Sequence, residues 1–238
     1  EMYQKWWPAD WHVIGKGILR FHSIYWPAML LSAGLELPKR VAVHGYLTMN
    51  GKKMSKSIGN VIDPELFIDR YGSEGFRYLL LAEVSTFEDS DVTADRFDEA
   101  YTAKLANGIG NMCSRITSMA EKLGLSVKKS DVPIESEFLT ERDEQFEKFN
   151  IYASAQAVMK QASILDKTIS DQQPWKMNAK DQAVAVTTYL HELIKILHAL
   201  EPFLPKTVDQ VQTELFGEKI QKVSSLFPRL LELESTSS

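Results

Sequence analysis

The sequence predicts a chain in two parts, an α/β segment over residues 1–90 and an all-α segment over residues 91–238. In the first part, short apolar runs flank one helical pattern and a hairpin signal. In the second part, apolar residues recur every three or four positions over long stretches, which is typical of amphipathic helices. This change of pattern near residue 90 predicts two domains.

The α/β part is predicted to place a helix between two strands. Val13 and Ile14 lie in the first strand, and residues 41–44 form the second. The apolar spacing between them predicts a helix from Ile18 to Ser32, which Gly34 ends. A strand, a helix and a second strand in this order favour an α/β layer.

A hairpin follows, with its turn at Asn50 and Gly51, because this pair tolerates the positive φ angles of a tight turn. Asp63 is then predicted to cap a helix, and two short helices separated near Gly72 should follow. We expect residues 85–95 to form a polar, acidic link to the second part.

The all-α part is predicted to hold four helices. The first carries an apolar stripe and ends at Gly124, and the second ends before the sequence Gln173-Pro174. The predicted spans are 97–123, about 140–169, about 179–200, and a shorter helix ending at residues 216–217.

Composition excludes several classes of protein. The chain has 238 residues, 44% of them hydrophobic and 25% charged, with a net charge of −5, which is ordinary for a globular domain and argues against a general nucleic-acid coat. One cysteine, Cys113, excludes an internal disulfide framework and a Cys-rich zinc site, and fits a reducing compartment. The apolar runs are shorter than the roughly 18 residues of a membrane span. We expect the C-terminal part of a longer, cytoplasmic protein.

A cationic loop follows the hairpin turn, with Lys53 and Lys56 three residues apart and the hydroxyls of Ser55 and Ser57 beside them. Ammonium groups and short hydroxyl donors suit a polyphosphate whose charge shifts during a reaction. The alternative interpretation is a solvated basic loop. Residues 53–57 read Lys-Met-Ser-Lys-Ser, the KMSKS signature of class I aminoacyl-tRNA synthetases.

Four motifs, which occur in the same order as in one family of this class, narrow the resemblance to that family. They are Trp11–Ala28, Val43–Gly45 with the signature loop, Asn111 with Arg115, and Pro174 with Trp175. Together they resemble the methionyl-tRNA synthetases over essentially the whole chain. The resemblance implies the second half of a Rossmann-like class I catalytic domain in residues 1–90, followed by an α-helical bundle anticodon-binding domain in residues 91–238.

The resemblance also implies an activity, which is the activation of methionine with ATP and Mg²⁺ and its transfer to tRNA(Met). Lys53 and Lys56 would be catalytic, and Gly15, Gly17, Ser55 and both lysines would bind ATP. In the family, the position of Gly17 usually holds an aspartate near the adenosine ribose. Its loss should weaken ATP binding by about 1–3 kcal/mol if nothing replaces the carboxylate.

Ile18 and His22 lie one turn apart, and the resemblance implies that they line the methionine pocket. An apolar pocket with one polar partner suits a thioether. The alternative interpretation of His22 is a hydrogen-bonded core histidine. Trp26 is interpreted as a wall of the core.

In the helical part, the resemblance implies that Asn111, Arg115 and Trp175 read the CAU anticodon. Unstacked RNA bases stack on aromatic rings and form hydrogen bonds with Arg and Asn. Taken without the resemblance, Trp175 is interpreted as a hydrophobic plug between helices, and Asn111 with Arg115 as an ordinary surface pair.

Two expected elements of a class I synthetase are not found in the sequence, the HxGH-type motif and the insertion that usually carries zinc ligands. Zinc is therefore expected only in a missing upstream insertion, and the histidines present lack metal-ligand spacing. The isolated chain is predicted to be inactive, and neither DNA nor a membrane is an expected partner.

Three alternatives stay open. They are a class I ligase for another apolar amino acid, a catalytically impaired relative that binds tRNA, and an inert helical scaffold. The first is disfavoured by Ile18, His22 and Trp175, the second is favoured by Gly17, and the third leaves the signature loop unexplained.

Overall fold

The chain divides into two compact units, one of residues 1–61 with 84–92 and one of residues 62–83 with 93–238. The computed structural model describes residues 2–55, 57 and 59–230. Residues 62–83 therefore belong to the second, helical unit by their contacts. The functional boundary between residues 90 and 91 stays a prediction.

The first unit contains the predicted strand–helix–strand arrangement. Strands β1 (His12–Gly15) and β2 (Val41–His44) are parallel, with His12 opposite Val41 and Gly15 opposite His44. The chain between them is helical, and Gly34 ends it with a φ of +68°. The helical segments of this unit are α1 (Met2–Trp6), a 3₁₀ turn (Lys16–Ile18), a π-helical turn (Phe21–Tyr25) and α2 (Trp26–Ser32).

A second, small sheet carries the hairpin. Strand β3 (Leu47–Met49) pairs antiparallel with β4 (Lys52–Lys53) and parallel with β5 (Ser90–Asp91). The turn residues Asn50 and Gly51 have φ values of 52° and 70°, which confirms the predicted hairpin. Interpreting residues 85–95 as a plain link was wrong, because β5 lies within them and pairs with a strand some forty residues away.

Helix α3 (Pro64–Ala82) opens the second unit. The side chain of Asp63 caps it by accepting a hydrogen bond from the Glu65 amide at 3.0 Å. Gly72 leaves the helical conformation, with φ 71° and ψ 160°, so the helix consists of two segments as predicted.

The remaining helices form the core of this unit. Helix α4 (Ala94–Ala100) leads through a π-helical segment (Tyr101–Gly110) into α5 (Asn111–Lys122), and Gly124 ends this long helical stretch with a φ of +62°. Its apolar residues, such as Leu105, Ile109 and Ile116, are fully buried. The bounds are α4 (Ala94–Ala100), π-helix (Tyr101–Gly110), α5 (Asn111–Lys122), α6 (Glu137–Glu147), α7 (Ile151–Gln172), α8 (Ala179–Leu200) and α9 (Pro205–Leu215).

The predicted helix over residues 140–169 is wrong as a single element, because α6 and α7 are separate. Phe149 adopts a φ of 58°, which ends α6, and the Asn150 side chain starts α7 by accepting a hydrogen bond from the Ala153 amide at 3.2 Å. The pattern of apolar residues continues across this break, so periodicity alone did not reveal it.

Cys113 is fully buried on the apolar side of α5. Burial raises the pKa of its thiol to about 12, so the thiol stays protonated and unreactive at neutral pH.

Candidate functional site

The hairpin that leads into the signature loop is held by one carboxylate. The Asp91 side chain on β5 accepts hydrogen bonds from the Gly51 amide at 2.8 and 3.0 Å and from the Thr48 hydroxyl. Asp91 lies on β5, which pairs with β3 but is not part of the hairpin. The turn is therefore held in place by a side chain of a third strand.

The signature loop is closed by the side chain of Asn60. Its carbonyl oxygen accepts a hydrogen bond from the Ser55 amide at 2.8 Å, and its amide donates to the Lys53 carbonyl at 3.2 Å. The Ser55 and Ser57 hydroxyls lie 2.7 Å apart. Lys56, the second predicted catalytic lysine, lies outside the described residues.

Two ammonium groups flank the ring of Tyr46. The Lys53 nitrogen lies 4.5 Å and the Lys16 nitrogen 5.8 Å from its centroid. Lys53 has no ion pair among residues 2–55, 57 and 59–230. In this part of the chain its ammonium group therefore interacts with the Tyr46 ring and not with a carboxylate. Such exposed cation–π contacts are worth about 0.5–1 kcal/mol, weak enough for a ligand phosphate to displace them.

Lys16 is held by a carboxylate in addition to the ring. Its nitrogen pairs with Asp89 at 2.6 Å, and Asp89 also accepts a hydrogen bond from the Tyr46 amide at 2.7 Å. The hydrogen bond from Lys16 lowers the pKa of Asp89, and that bond also raises the pKa of Lys16. Both groups therefore stay charged at neutral pH.

Gly17 faces the same ring. A Cβ atom at Gly17 would lie 2.8 Å from the Tyr46 hydroxyl oxygen, so this hydroxyl fills the space that a side chain at position 17 would need. At Gly15, a Cβ atom would lie 3.3 Å from the ring of His44. An aromatic ring thus lies over the Cβ position of each glycine, while Gly17 itself is exposed and Gly15 is half-buried.

His22 and Ile18 lie together, as their spacing predicts. The Nδ1–H of His22 donates to the Ile18 carbonyl at 3.0 Å, which leaves Nε2 as the other polar atom of the ring. Ile18 is 45% exposed, and His22 is half-buried with its ring 6.1 Å from that of His12. His22 belongs to the π-helical turn at Phe21–Tyr25, a type of irregularity that is frequent at functional sites.

Trp26 donates from its ring nitrogen to Nε2 of His12 at 3.1 Å. It also packs edge-on against Trp7, with ring centroids 6.1 Å apart. This agrees with the interpretation of Trp26 as a wall of the local core.

The helical unit brings Arg115 and Trp175 together from positions sixty residues apart in the sequence. The Arg115 guanidinium lies 5.8 Å from the centre of the Trp175 ring and forms an ion pair with Asp166 at 2.8 Å. Trp175 is 53% exposed, so it is not a buried plug between helices. A flat, half-exposed ring with a fixed guanidinium beside it can stack on a planar ligand and form hydrogen bonds with it.

The break after α7 places Trp175 at the surface. Gln173 takes a left-handed conformation, with φ 47°, and Pro174 then begins a short 3₁₀ turn. The preceding residue, Gln172, accepts a hydrogen bond from the Tyr189 hydroxyl at 2.5 Å, which ties the end of α7 to α8.

Asn111 is exposed at the start of α5, one helical turn before Arg115. It lines a polar groove with residues of the C-terminal segment. Of the three predicted RNA-reading residues, Arg115 and Trp175 therefore lie close together. Asn111 lies one turn before Arg115 on α5.

Neither a metal site nor a membrane span is present in the part of the chain that the structure describes. Its histidines, cysteine and carboxylates form no cluster of three or more that could hold a metal ion. Among its helices, none is both long and apolar enough to cross a membrane.

Sequence reasoning missed the residues that support each site. Tyr46, Asn60, Asp89 and Asp91 hold the loop, and Asp166 holds Arg115. Asn60 lies close enough to the signature to be found as a side-chain cap of a loop. The carboxylates carry no local signal, because each contacts a partner about 40 to 73 residues away in the sequence.

Comparison with known proteins agrees with these features. Residues 1–117 match the family model described as tRNA synthetases class I (M). The chain is 35% identical to the methionine–tRNA ligase of Nostoc sp. over 94% of its length, and 37% identical to those of Thermotoga maritima (93%) and Bacillus subtilis (97%). It covers 45%, 38% and 40% of these proteins, respectively.

Solved structures give the same result. Mycobacterium tuberculosis methionyl-tRNA synthetase in complex with methionyl-adenylate superposes with a TM-score of 0.79 at 29% identity, over 96% of this chain and 52% of that one. The apo form of that enzyme gives a TM-score of 0.76 at 26% identity, over 98% and 52%.

The fold, the signature loop and these likenesses define the class, and the chain belongs to the class I aminoacyl-tRNA synthetases. Within that class its family is that of the methionyl-tRNA synthetases, as the sequence motifs predict. The chain spans less than half the length of the curated relatives it matches.

Proposed function

We propose that this chain is the signature-loop and anticodon-reading part of a methionine–tRNA ligase. The parent protein activates methionine with ATP and Mg²⁺ to methionyl-adenylate and then transfers methionine to tRNA(Met). Residues 1–90 supply the second half of the Rossmann-like catalytic domain, and residues 91–238 supply the anticodon-binding bundle. A cytoplasmic location is part of the same proposal, supported by a single, buried thiol.

The observation that carries this proposal is the pair of Arg115 and Trp175. A half-exposed indole beside a guanidinium fits an unstacked RNA base, which gains about 1–3 kcal/mol from stacking on an aromatic ring. Asp166 orients the guanidinium and leaves other donors of its fork for the base edge. Asn111, one turn away, adds a side-chain amide that can donate and accept.

In the first unit, Lys53 and Lys56 act on the phosphates of ATP. Lys53 rests on Tyr46 without a carboxylate partner among the described residues, so it is available to an incoming anion. Ser55 adds a hydroxyl, and the backbone at Gly15 and Gly17 faces the nucleotide. Removing a preorganised donor from a developing charge typically costs about 3 kcal/mol of transition-state stabilisation.

Methionine is proposed to lie against Ile18, with His22 as the polar partner of its thioether. The exposed apolar side chain of Ile18 and the half-buried ring of His22 one helical turn away support this placement. Selectivity against shorter apolar side chains should be modest, about 1–3 kcal/mol for each methylene group.

A Trp175→Ala variant tests the proposal in the chain as it stands. We expect its affinity for an RNA hairpin with a CAU loop to fall about tenfold or more, because the stacking surface is lost. Trp6→Ala is the matched control, since Trp6 is also an exposed tryptophan but lies in the first unit. Equal affinities of the two variants would contradict the proposal.

A catalytically impaired relative that still binds tRNA is the second candidate, and Gly17 favours it. The Tyr46 hydroxyl occupies the space of a side chain at this position. In a protein that carries both halves of the catalytic domain, Gly17→Asp should raise ATP affinity strongly from a low baseline if the site has decayed. An unchanged ATP affinity would instead favour an intact site.

A further inference from the structure

The side chain of Tyr46 lies between two cations and a glycine. The Lys53 nitrogen lies 4.5 Å and the Lys16 nitrogen 5.8 Å from the centre of its ring. A Cβ atom at Gly17 would lie 2.8 Å from the Tyr46 hydroxyl oxygen and 3.9 Å from the ring carbon Cζ. The hydroxyl group therefore occupies the space that a side chain at position 17 would take.

The backbone that carries this ring is fixed on both sides. The Tyr46 amide donates a hydrogen bond to the Asp89 side chain at 2.7 Å, and the Tyr46 carbonyl accepts one from the Ser90 amide at 3.0 Å. A Cβ atom at the preceding Gly45 would lie 2.1 Å from the Glu88 carbonyl oxygen, so the two chain segments pack backbone against backbone. Tyr46 is thus held in place before a ligand binds, which lowers the entropic cost of binding.

The hydroxyl of Tyr46 is available to a ligand. It forms no hydrogen bond within the part of the chain that the structure describes, and the residue is half-buried rather than enclosed. A phenol hydroxyl can both donate and accept a hydrogen bond, so it can pair with an alcohol group of a ligand.

The groups around this hydroxyl indicate a nucleotide. Lys53 has no ion pair among the described residues, and its ammonium group suits a phosphate. In a nucleotide the ribose joins the phosphates to the base, so a hydroxyl close to a phosphate-binding cation is placed to meet the ribose hydroxyls. Glycine at position 17 lets the ribose approach the backbone while the Tyr46 hydroxyl lies beside it.

We infer that Tyr46 binds the ribose of ATP and supplies the polar group that Gly17 lacks. The inference rests on the function proposed for the first unit. The aspartate that the family usually holds at position 17 would compete with the Tyr46 hydroxyl for one space. Gly17 and Tyr46 are therefore a matched pair, and glycine at this position does not by itself indicate a decayed site.

Removal of the hydroxyl in the full chain, Tyr46→Phe, tests the ribose contact. The probes are ATP and 2′,3′-dideoxy-ATP, which lacks both ribose hydroxyls, and NMR titration measures even weak binding of each. Tyr46→Phe should weaken the binding of ATP about fivefold, the effect of one lost net hydrogen bond, and leave the binding of dideoxy-ATP unchanged. The phenylalanine ring keeps the contacts with Lys16 and Lys53, so the phosphates should bind as before.

Tyr3→Phe is the matched control. Tyr3 is an exposed tyrosine of the same unit, and its ring stacks on Trp7. This variant should leave the affinities for both nucleotides unchanged. The spectra recorded for the titrations also establish that each variant is folded.

Two double variants test the shared space. Gly17→Asp alone should bring no gain in ATP affinity, because its Cβ atom would lie too close to the Tyr46 hydroxyl oxygen. Gly17→Asp combined with Tyr46→Phe should recover most of the lost affinity, since the carboxylate then accepts a hydrogen bond from the ribose. Gly17→Ala combined with Tyr46→Phe brings no acceptor and should bind ATP as weakly as Tyr46→Phe alone.

The outcomes separate this inference from the function on which it rests. If Tyr46→Phe weakens the binding of both nucleotides equally, or of neither, the ribose contact is overturned while the ATP site stands. If Gly17→Ala recovers affinity in the Tyr46→Phe chain as well as Gly17→Asp does, the shared space is overturned. If the unchanged chain binds neither nucleotide, the proposed ATP site is overturned, and this inference with it.

Discussion

Single side chains determine the shape of the signature loop, and Asn60 is the one whose role can be isolated. Its two hydrogen bonds connect Asn60, which follows the loop, to Lys53 at the start of the loop and to Ser55 in its middle. Asn60→Ala should speed hydrogen exchange of the Ser55 amide about fivefold, because a net hydrogen bond of about 1 kcal/mol is lost. NMR-detected exchange measures this directly.

Asn60→Asp is the control for that experiment. It keeps an acceptor for the Ser55 amide and loses only the donor to the Lys53 carbonyl, so Ser55 should stay largely protected. Equal exchange rates in the alanine and aspartate variants would contradict this role for Asn60.

Asp98 gives the helical unit a defined dependence on pH. It accepts hydrogen bonds from Arg70 and from the Tyr71 hydroxyl, each at 2.7 Å. Burial raises the pKa of Asp98, but the hydrogen bonds from Arg70 and Tyr71 outweigh it and leave the pKa below the ordinary value of 3.8. The stabilisation is therefore present above about pH 4 and is lost as pH falls through the lowered pKa.

Asp98→Asn should lower the free energy of unfolding by about 1–3 kcal/mol at pH 7 and reduce its fall below pH 4. Urea denaturation at a series of pH values measures both effects. Glu99→Gln, an exposed neighbour on the same helix, is the control and should keep the pH dependence. A parallel curve for Asp98→Asn and the unchanged chain would contradict the argument.

At the scale of secondary-structure elements, Gly72 divides α3. Its φ of +71° is unfavourable for residues with a Cβ atom, and no atom lies within 4 Å of the position a Cβ would take. With a ψ of 160° this is a conformation that essentially only glycine adopts, so Gly72→Ala should destabilise the chain by about 1–3 kcal/mol through backbone strain alone. Urea denaturation checks the value.

Gly217→Ala is the matched control for Gly72. A Cβ at Gly217 would make only ordinary contacts at 3.5 and 3.7 Å, and its φ is not in the left-handed region. It should be neutral or slightly stabilising. A loss at Gly217 as large as that at Gly72 would contradict the argument from φ.

Elements defined by local signals could be predicted from the sequence. The turn at Asn50 and Gly51, the cap at Asp63 and the stop at Gly124 depend on residue types that adopt one conformation readily, and the structure has all three. Strand β5 could not be predicted, because its two residues gain their conformation from pairing with β3.

In the candidate sites, too, only the features that depend on a local signal could be predicted from the sequence. The break that exposes Trp175 is visible in Gln173 and Pro174, so a surface aromatic ring could be predicted there. The ion pair between Arg115 and Asp166 could not, because it depends on how α5 and α7 pack. Lys56 lies outside the described residues, and its role on ATP stays a prediction.

At the scale of the whole molecule, the chain matches less than half of each curated relative considered above. The sequence contains a signature loop but no HxGH-type motif. We therefore expect the purified chain to form no methionyl-adenylate, which methionine-dependent ATP–pyrophosphate exchange measures. Exchange above the level of a heat-denatured sample would contradict this expectation.

The central claim is that the helical unit reads a CAU anticodon. The most direct test titrates the unchanged chain, at one fixed salt concentration, with two tRNAs that differ only in a CAU or an altered anticodon. We predict tighter binding of the CAU tRNA by about tenfold or more, since hydrogen bonds to the edge of the correct base contribute about 1–3 kcal/mol that an altered anticodon loses, while stacking is common to both tRNAs. Equal affinities for both tRNAs, in a sample that melts as a folded protein, would contradict the claim.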